Sequence, residues 1–230
     1  MFGSARDLEV TRHRIGLGRR VALLTDLHLD RTAVEADRVA TVLDEVGAEV
    51  VALGGDFFDH RYLPERLDAW LKALGGRPAV AVLGNHDYRL GEGALAALVA
   101  RLEPRVAVLR NAAATVGGVR VFGYDDPVTE RALAAPPGEA VDLVLAHSPD
   151  LPVPLAALGA PVLCGHYHGG QVRVLPPRLL ARLVLRHEPL ALRGVLSGWT
   201  PDGLAYISRG LGMSHAAVRL FAPPEIAVFD

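Results

Sequence analysis

The sequence predicts an α/β fold with its strands and helices arranged in layers. Three observations predict it. Short apolar runs of strand length recur at residues 21–25, 50–53, 79–83 and 141–146. Helix-period patterns fill the gaps between the first of them. The second half then turns strand-rich, with no linker to split the chain, so one domain over residues 1–230 is expected.

The apolar runs have no polar alternation, as expected of strands buried on both faces. Helices are predicted at 34–46, 64–74 and 93–102. In the first, Val39, Val42, Leu43 and Val46 share one face. Pro64 suits a first helical turn, and Gly75-Gly76 suits a stop. Further strands are expected at 106–109, 113–116 and 119–122, the last two joined by a Gly117-Gly118 turn. Three more are expected at 204–207, 218–221 and 226–229.

Composition narrows the function. Of 230 residues, 50% are hydrophobic and 22% charged, so the chain can bury a substantial core. A net charge of -2 gives no general attraction to nucleic acid, and no specific nucleic-acid binding is expected. Cys164 is the sole cysteine, which excludes an intramolecular disulfide and suits a small buried hydrophobe ending the run 162–164. Every apolar run is well short of the roughly 20 residues that span a bilayer. The expected location is cytoplasmic.

Chemistry concentrates in five segments: Asp26-Leu27-His28, Gly55-Asp56-Phe57-Phe58-Asp59, Gly84-Asn85-His86-Asp87, His147, and Gly165-His166-Tyr167-His168. Most directly follow a predicted strand, and ligand sites of open α/β sheets gather beyond the carboxyl ends of strands. Asp26 and His28 are two apart, so in extended chain they point the same way; His166 and His168 repeat that spacing. Asp and His with one Asn suit Mn, Fe or Zn, and paired ions roughly 3.5–4 Å apart can clamp a phosphoryl group and activate a bridging hydroxide. Each segment alone is weak: a Gly-Asn-His-Asp run is also a turn with a helix cap. Together, holding five of the nine histidines in one chain order, they point to a metal site.

In these segments the sequence resembles the calcineurin-like metallophosphoesterases, and the likeness runs from Val21 onward. That resemblance implies a four-layer αββα sandwich of two mixed sheets flanked by helices. It implies two divalent ions, with Mn²⁺ expected. One would be held by Asp26, His28, Asp56 and His168, the other by Asp56, Asn85, His147 and His166. His86 would contact the phosphate and protonate the leaving oxygen, and Asp59 would orient it. Asp87 and His60 depart from the Ser/Thr protein phosphatase pattern. The segments 165–171 and 206–212, followed by Arg219-Leu220-Phe221, resemble the bacterial YkuE/YaeI-type phosphodiesterase branch. Some of its members hydrolyse UDP-2,3-diacylglucosamine, a lipid-linked nucleotide sugar. Arg209 and His60 are the expected substrate contacts.

The expected activity is hydrolysis of a phosphodiester or pyrophosphate bond in a small phosphate ester. A phosphomonoesterase or cyclic-nucleotide phosphodiesterase on the same core, and a non-catalytic interaction scaffold, are the alternatives. Residues 177–186 add one further expectation. Arg178, Arg182 and Arg186 recur every four residues beside Leu179, Leu180, Leu183 and Val184. This helix either packs its apolar face on the core or touches a membrane peripherally.

Overall fold

A computed structural model describes residues 7–215 and 217–230. Two mixed six-stranded sheets stack face to face. The first is built from β1 (Glu9–His13), β2 (Val21–Leu24), β3 (Val50–Leu53), β4 (Ala79–Ala81), β5 (Ala107–Val108) and, last in sequence, β12 (Glu225–Phe229). Their spatial order is β1-β12-β2-β3-β4-β5. The second contains β6 (Ala112–Val116), β7 (Val119–Gly123), β8 (Leu143–Leu145), β9 (Val162–Cys164), β10 (Gly198–Trp199) and β11 (Ala205–Ile207), ordered β10-β11-β9-β8-β7-β6.

Alternation along the strands divides the core. Val21 and Leu23 face inward with Val50, Ala52 and Val80, meeting Val121, Leu143, Leu145 and Leu163 of the second sheet. Ala22, Leu24, Val51 and Leu53 face outward instead. They are covered by α1 (Ala36–Glu45), α2 (Pro64–Ala73) and α4 (Glu92–Leu102) through Val39, Leu43, Leu67, Trp70 and Leu98. On the far side, Cys164 and Ile207 pack under α5 (Pro177–Val184) and α6 (Pro189–Leu192). The layers are therefore helices, sheet, sheet, helices. The last layer is thin, and loops complete it over Phe122, Tyr124 and Val144.

Strands β2, β3 and β4 run parallel, as do β7, β8, β9 and β11. Their carboxyl ends meet at one edge of the sandwich. Beyond β2 and β3 the chains stay paired: Asp26, His28 and Leu29 donate their N–H groups to Gly55, Asp56 and Phe57 carbonyls at 3.0, 3.0 and 2.8 Å. α3 (Asn85–Arg89) starts directly after β4.

Residues 218–221 and β1 differ from the sequence reading. Residues 218–221 form only an isolated bridge, Val172 to Leu220, because the Arg219 side chain turns inward and caps the carbonyls of Gly212, Ala222 and Arg209. β1 was not expected: its mostly polar residues lie half in solvent, and its order comes from parallel pairing with β12, more than 200 residues away. No helix among the described residues is long and apolar enough to cross a membrane.

Candidate metal centre

The structure brings all seven expected donors to the edge where the strand ends meet. Asp26, His28, Asp56 and His168 form one cluster; Asp56, His147 and His166 form a second, and Asn85 joins it. Six of the seven are buried, His166 less so. Asp56 belongs to both clusters through a single oxygen. Its Oδ2 lies 3.6 Å from His28 Nε2 and 3.3 Å from His147 Nε2.

The local backbone is bent to make this possible. Asp26, His28, Asp56, His166 and His168 all have positive φ, between 39° and 73°. Side-chain-bearing residues rarely adopt that region, and strain of about 1–3 kcal/mol each persists only where the surroundings impose it. Two glycines give the room. A Cβ on Gly84 would lie 2.2 Å from Asp56 Oδ1, and one on Gly165 would lie 2.2 Å from Asp26 Oδ2. Their motif positions are thus set by side chains arriving from other strands.

The donors fit divalent ions. Ligands about 2.0–2.2 Å from one ion stand roughly 3.0–3.5 Å apart in tetrahedral or octahedral geometry. Here His28 Nε2 and His168 Nε2 are 3.2 Å apart, and His168 Nε2 and Asp26 Oδ1 are 3.4 Å apart. His147 Nε2 lies 3.0 Å from Asn85 Oδ1 and 3.1 Å from His166 Nδ1. Turning the Asn85 amide over would pair its nitrogen with both imidazoles at 3.0 and 3.2 Å and its oxygen with Arg89. A cation at this point would take the orientation with Oδ1 toward the imidazoles, where the amide oxygen offers a lone pair.

Electrostatics agree. Burial, then the neighbouring His and Arg charges, holds His168 well below the usual imidazole value, and burial also lowers His28. Both are kept as neutral lone-pair donors. Burial opposes charging His147, yet the Asp56 carboxylate raises it well above the usual value. Burial likewise opposes ionisation of Asp56, and His147 overrides it, holding that carboxyl well below its ordinary range. The field around Asp56 draws positive charge.

Outer partners orient the donors. His147 Nδ1 lies 3.0 Å from the Gly54 carbonyl, which leaves Nε2 free. His166 Nε2 lies 3.1 Å from Glu188 Oε1. Thr25 Oγ1 donates to Asp26 Oδ2 at 3.0 Å, and the His166 N–H reaches both Asp26 oxygens at 3.1 Å. Asp87 accepts the N–H groups of Gly84, Asp56 and Phe57 at 2.9, 2.9 and 2.8 Å, tying the β3 and β4 exits together. Burial and the charge on Asp56 push Asp87 up to about 8.

His86 sits beside the donors, its Nδ1 2.8 Å from Asp59 Oδ1. Asp59 Oδ2 also pairs with Arg31 at 3.0 Å and with His60 at 3.1 Å. His60 is therefore tied to Asp59 and otherwise exposed. Arg209 is not brought into the site: its guanidinium is held by Glu9 at 2.7 Å and the Pro223 carbonyl at 3.0 Å, and it does not line the cavity. That cavity, of about 690 Å³, opens from Asp56, Asn85 and His86 past Arg89 and His215. Its far wall is mostly apolar and includes Val172, Leu180, Val184 and Leu185. Tyr167 lines it and also donates to Asp150, a bond that adds to its packing.

Sequence reasoning did not single out Asp30, Arg31, Arg89, Glu188 or the role of Asp87. Asp30 continues the two-residue spacing of Asp26 and His28, and it accepts the N–H groups of Asp59, His60 and Arg61. Glu188 and Arg89 carry no local signal.

Buried donor clusters that share a carboxylate at converging strand ends mark a candidate metal centre, and the chain belongs to the calcineurin-like phosphoesterase family, a class of metal-dependent phosphoesterases, matching it over residues 19–207. Among its relatives is the metallophosphoesterase YkoQ of Bacillus subtilis (strain 168), 30% identical over 217 residues, covering 88% of this chain and 80% of YkoQ. The phosphodiesterase YaeI of Escherichia coli (strain K12) is 27% identical, covering 96% of this chain and 87% of YaeI. The metallophosphoesterase YkuE of Bacillus subtilis is 25% identical, covering 99% and 88%.

Proposed function

We propose that the chain hydrolyses a phosphodiester or pyrophosphate bond with two divalent ions, Mn²⁺ being the preferred pair. The observation that carries this reading is the single Asp56 oxygen standing between two donor clusters. Asp26, His28 and His168 would hold one ion, and Asn85, His147 and His166 the other. Ions bound there would supply Lewis-acid stabilisation of phosphoryl charge and lower the pKa of a bound water. The mixed His, carboxylate and amide set suits a borderline-hard ion over copper or calcium.

The protein's own groups do the rest. Asp59 fixes the Nδ1–H of His86, so Nε2 can carry a proton toward the leaving oxygen. Arg89 lines the cavity with Nη1 3.4 Å from His86 Nε2, close enough to bind the same phosphate. The apolar far wall offers room for a second ester substituent, which supports a diester over a monoester. An acylated nucleotide sugar such as UDP-2,3-diacylglucosamine fits that division: polar groups at the donors, hydrocarbon along the wall.

The test is turnover of bis-p-nitrophenyl phosphate against p-nitrophenyl phosphate, each with Mn²⁺ and with chelator. The diester should turn over faster, and only with metal. Preference for the monoester would move the reading to a phosphomonoesterase. A second assay compares UDP-2,3-diacylglucosamine with its deacylated form; preference for the deacylated compound removes the acyl assignment.

A further inference from the structure

The segment that roofs the cavity has an outer surface unlike the rest of the molecule. Among the described residues, ten large hydrophobic side chains are exposed, and six of them lie in one short stretch: Val174, Leu175, Leu179, Leu183, Val184 and Leu192. The bridge from Val172 to Leu220 brings a neighbouring strand of chain alongside, with Val218 also exposed. Single exposed hydrophobes are ordinary, but six within residues 174–192 point to an interaction surface.

Helix α5 divides its apolar residues. Leu180 and Ala181 pack inward on Cys164 and Ile207. Leu179 and Leu183, one turn apart, point outward at 45% and 62% exposure. Arg178 and Arg182, also one turn apart, are exposed beside them; Arg186 follows past the helix end at Val184. Packing on the core therefore explains only part of the apolar face.

Charge tells what could cover the remainder. Residues 171–187 contain four arginines and no acidic residue. Residues 171–192 carry four arginines against Glu188, a formal +3 in a chain of net charge -2. Within 174–192 the exposed hydrophobes are aliphatic, with no Trp, Tyr, Phe or Met; Phe221, beside the bridge, is the one exposed aromatic among the described residues. Protein interfaces favour those residues, whereas leucine flanked by arginine suits the boundary between headgroups and acyl chains.

We propose that the outer face of residues 174–192 docks on an anionic lipid bilayer. Leu179 and Leu183 enter the headgroup–acyl boundary, and Arg178, Arg182 and Arg186 face the phosphates. Leu180 and Val184 of the same helix line the cavity, so the docked face lies at its mouth. The surface goes beyond the proposed reaction, and its binding is read without any substrate.

The experiment is co-sedimentation of the full chain with phosphatidylcholine vesicles, with and without phosphatidylglycerol, at low and high salt. Three arginines, each contributing about fivefold near an anionic surface, predict a roughly 100-fold preference for anionic vesicles that weakens with salt. Leu179→Asp/Leu183→Asp should lower binding about tenfold or more. Both positions are exposed and outside the cavity, so its turnover of bis-p-nitrophenyl phosphate should match the parent protein. Failure of the parent protein to bind anionic vesicles overturns the proposal. Equal binding by the double variant overturns it too. So does sedimentation velocity showing a dimer lost in the variant without vesicle binding, since the face would then join two copies of the chain.

Discussion

Two regions face each other across the cavity, and they are built by opposite rules. At the strand ends, carboxylates and imidazoles are buried against the tendency of charged groups to stay hydrated. At α5, leucine and valine are left in solvent against the tendency of hydrocarbon to leave it. The strand-end region is held by backbone: Asp56 and Asp26 accept N–H groups from His86 and His166, and five donors sit in strained conformations. The α5 region is held by a small core of its own around Cys164, Leu180 and Ile207. Each departs from what a protein interior or surface ordinarily holds, and each departure points to something bound: cations in one case, lipid in the other. Buried charge calls for rigidity, because a donor displaced by a fraction of an ångström is lost to the cluster; a lipid-facing helix has no such demand.

The largest effect should come from the strand-end side. Asp56→Asn removes the negative charge that both clusters share, one of the two carboxylates that compensate the cations. Activity should fall on the order of 10³-fold or more, since several kcal/mol of transition-state stabilisation are at stake. Elemental analysis should show both sites depleted. Full occupancy in this variant would remove Asp56 from the shared position.

His86→Ala tests whether the same region separates metal holding from proton transfer. A general acid contributes about 10²–10⁴-fold. kcat should drop within that range while metal content holds, and the loss should shrink for esters with good leaving groups. Equal losses for good and poor leaving groups would assign His86 to phosphate positioning alone.

A subtler effect follows from His147. In the metal-free chain Asp56 raises its pKa well above 6.5 against the penalty of burial. Below that raised value a proton must leave His147 before a cation can bind, so affinity should fall about tenfold per pH unit as pH drops. The decline should begin above the ordinary imidazole range. Metal titrations from about pH 6 to 9 check it. Affinity flat across that window would show that no proton is displaced.

The smallest effects separate the two faces of α5. Leu180→Ala should destabilise by about 2–5 kcal/mol, because the side chain is buried against Ala191 and Leu196. Leu183→Ala should stay within about 0.5 kcal/mol in urea unfolding, as its side chain is in solvent. A large loss at Leu183 would mean that it supports the fold and is no docking residue.

Much of the strand-end region was legible in the sequence, and the reason is local. Asp26, Asp56, Asn85 and His147 each lie within three residues of the end of an apolar run, so strand direction alone sends them to one edge. α5 was legible as a helix from Arg178 and Arg182, four residues apart, beside Leu179, Leu180, Leu183 and Val184. Residues 218–221 misled because an apolar pattern cannot report that Arg219 would turn inward to satisfy three carbonyls. Arg209 stands outside the cavity for a related reason: its partner Glu9 lies on β1, a strand whose mostly polar sequence gave no apolar signal.

The sequence by itself determined which chemistry is present and in what chain order, since residue type and strand-sized runs are properties of neighbouring residues. Only the tertiary structure decided which oxygen of Asp56 stands between the clusters, which nitrogen of each imidazole is free, and that Glu188 backs His166. Those choices depend on the meeting of groups up to 140 residues apart in sequence. The same holds for α5, where its leucine spacing is compatible with a buried face or a wet one. The choice came from the width of the thin outer layer, which has room over the sheet for Leu180 and Ala181 and leaves Leu179 and Leu183 outside.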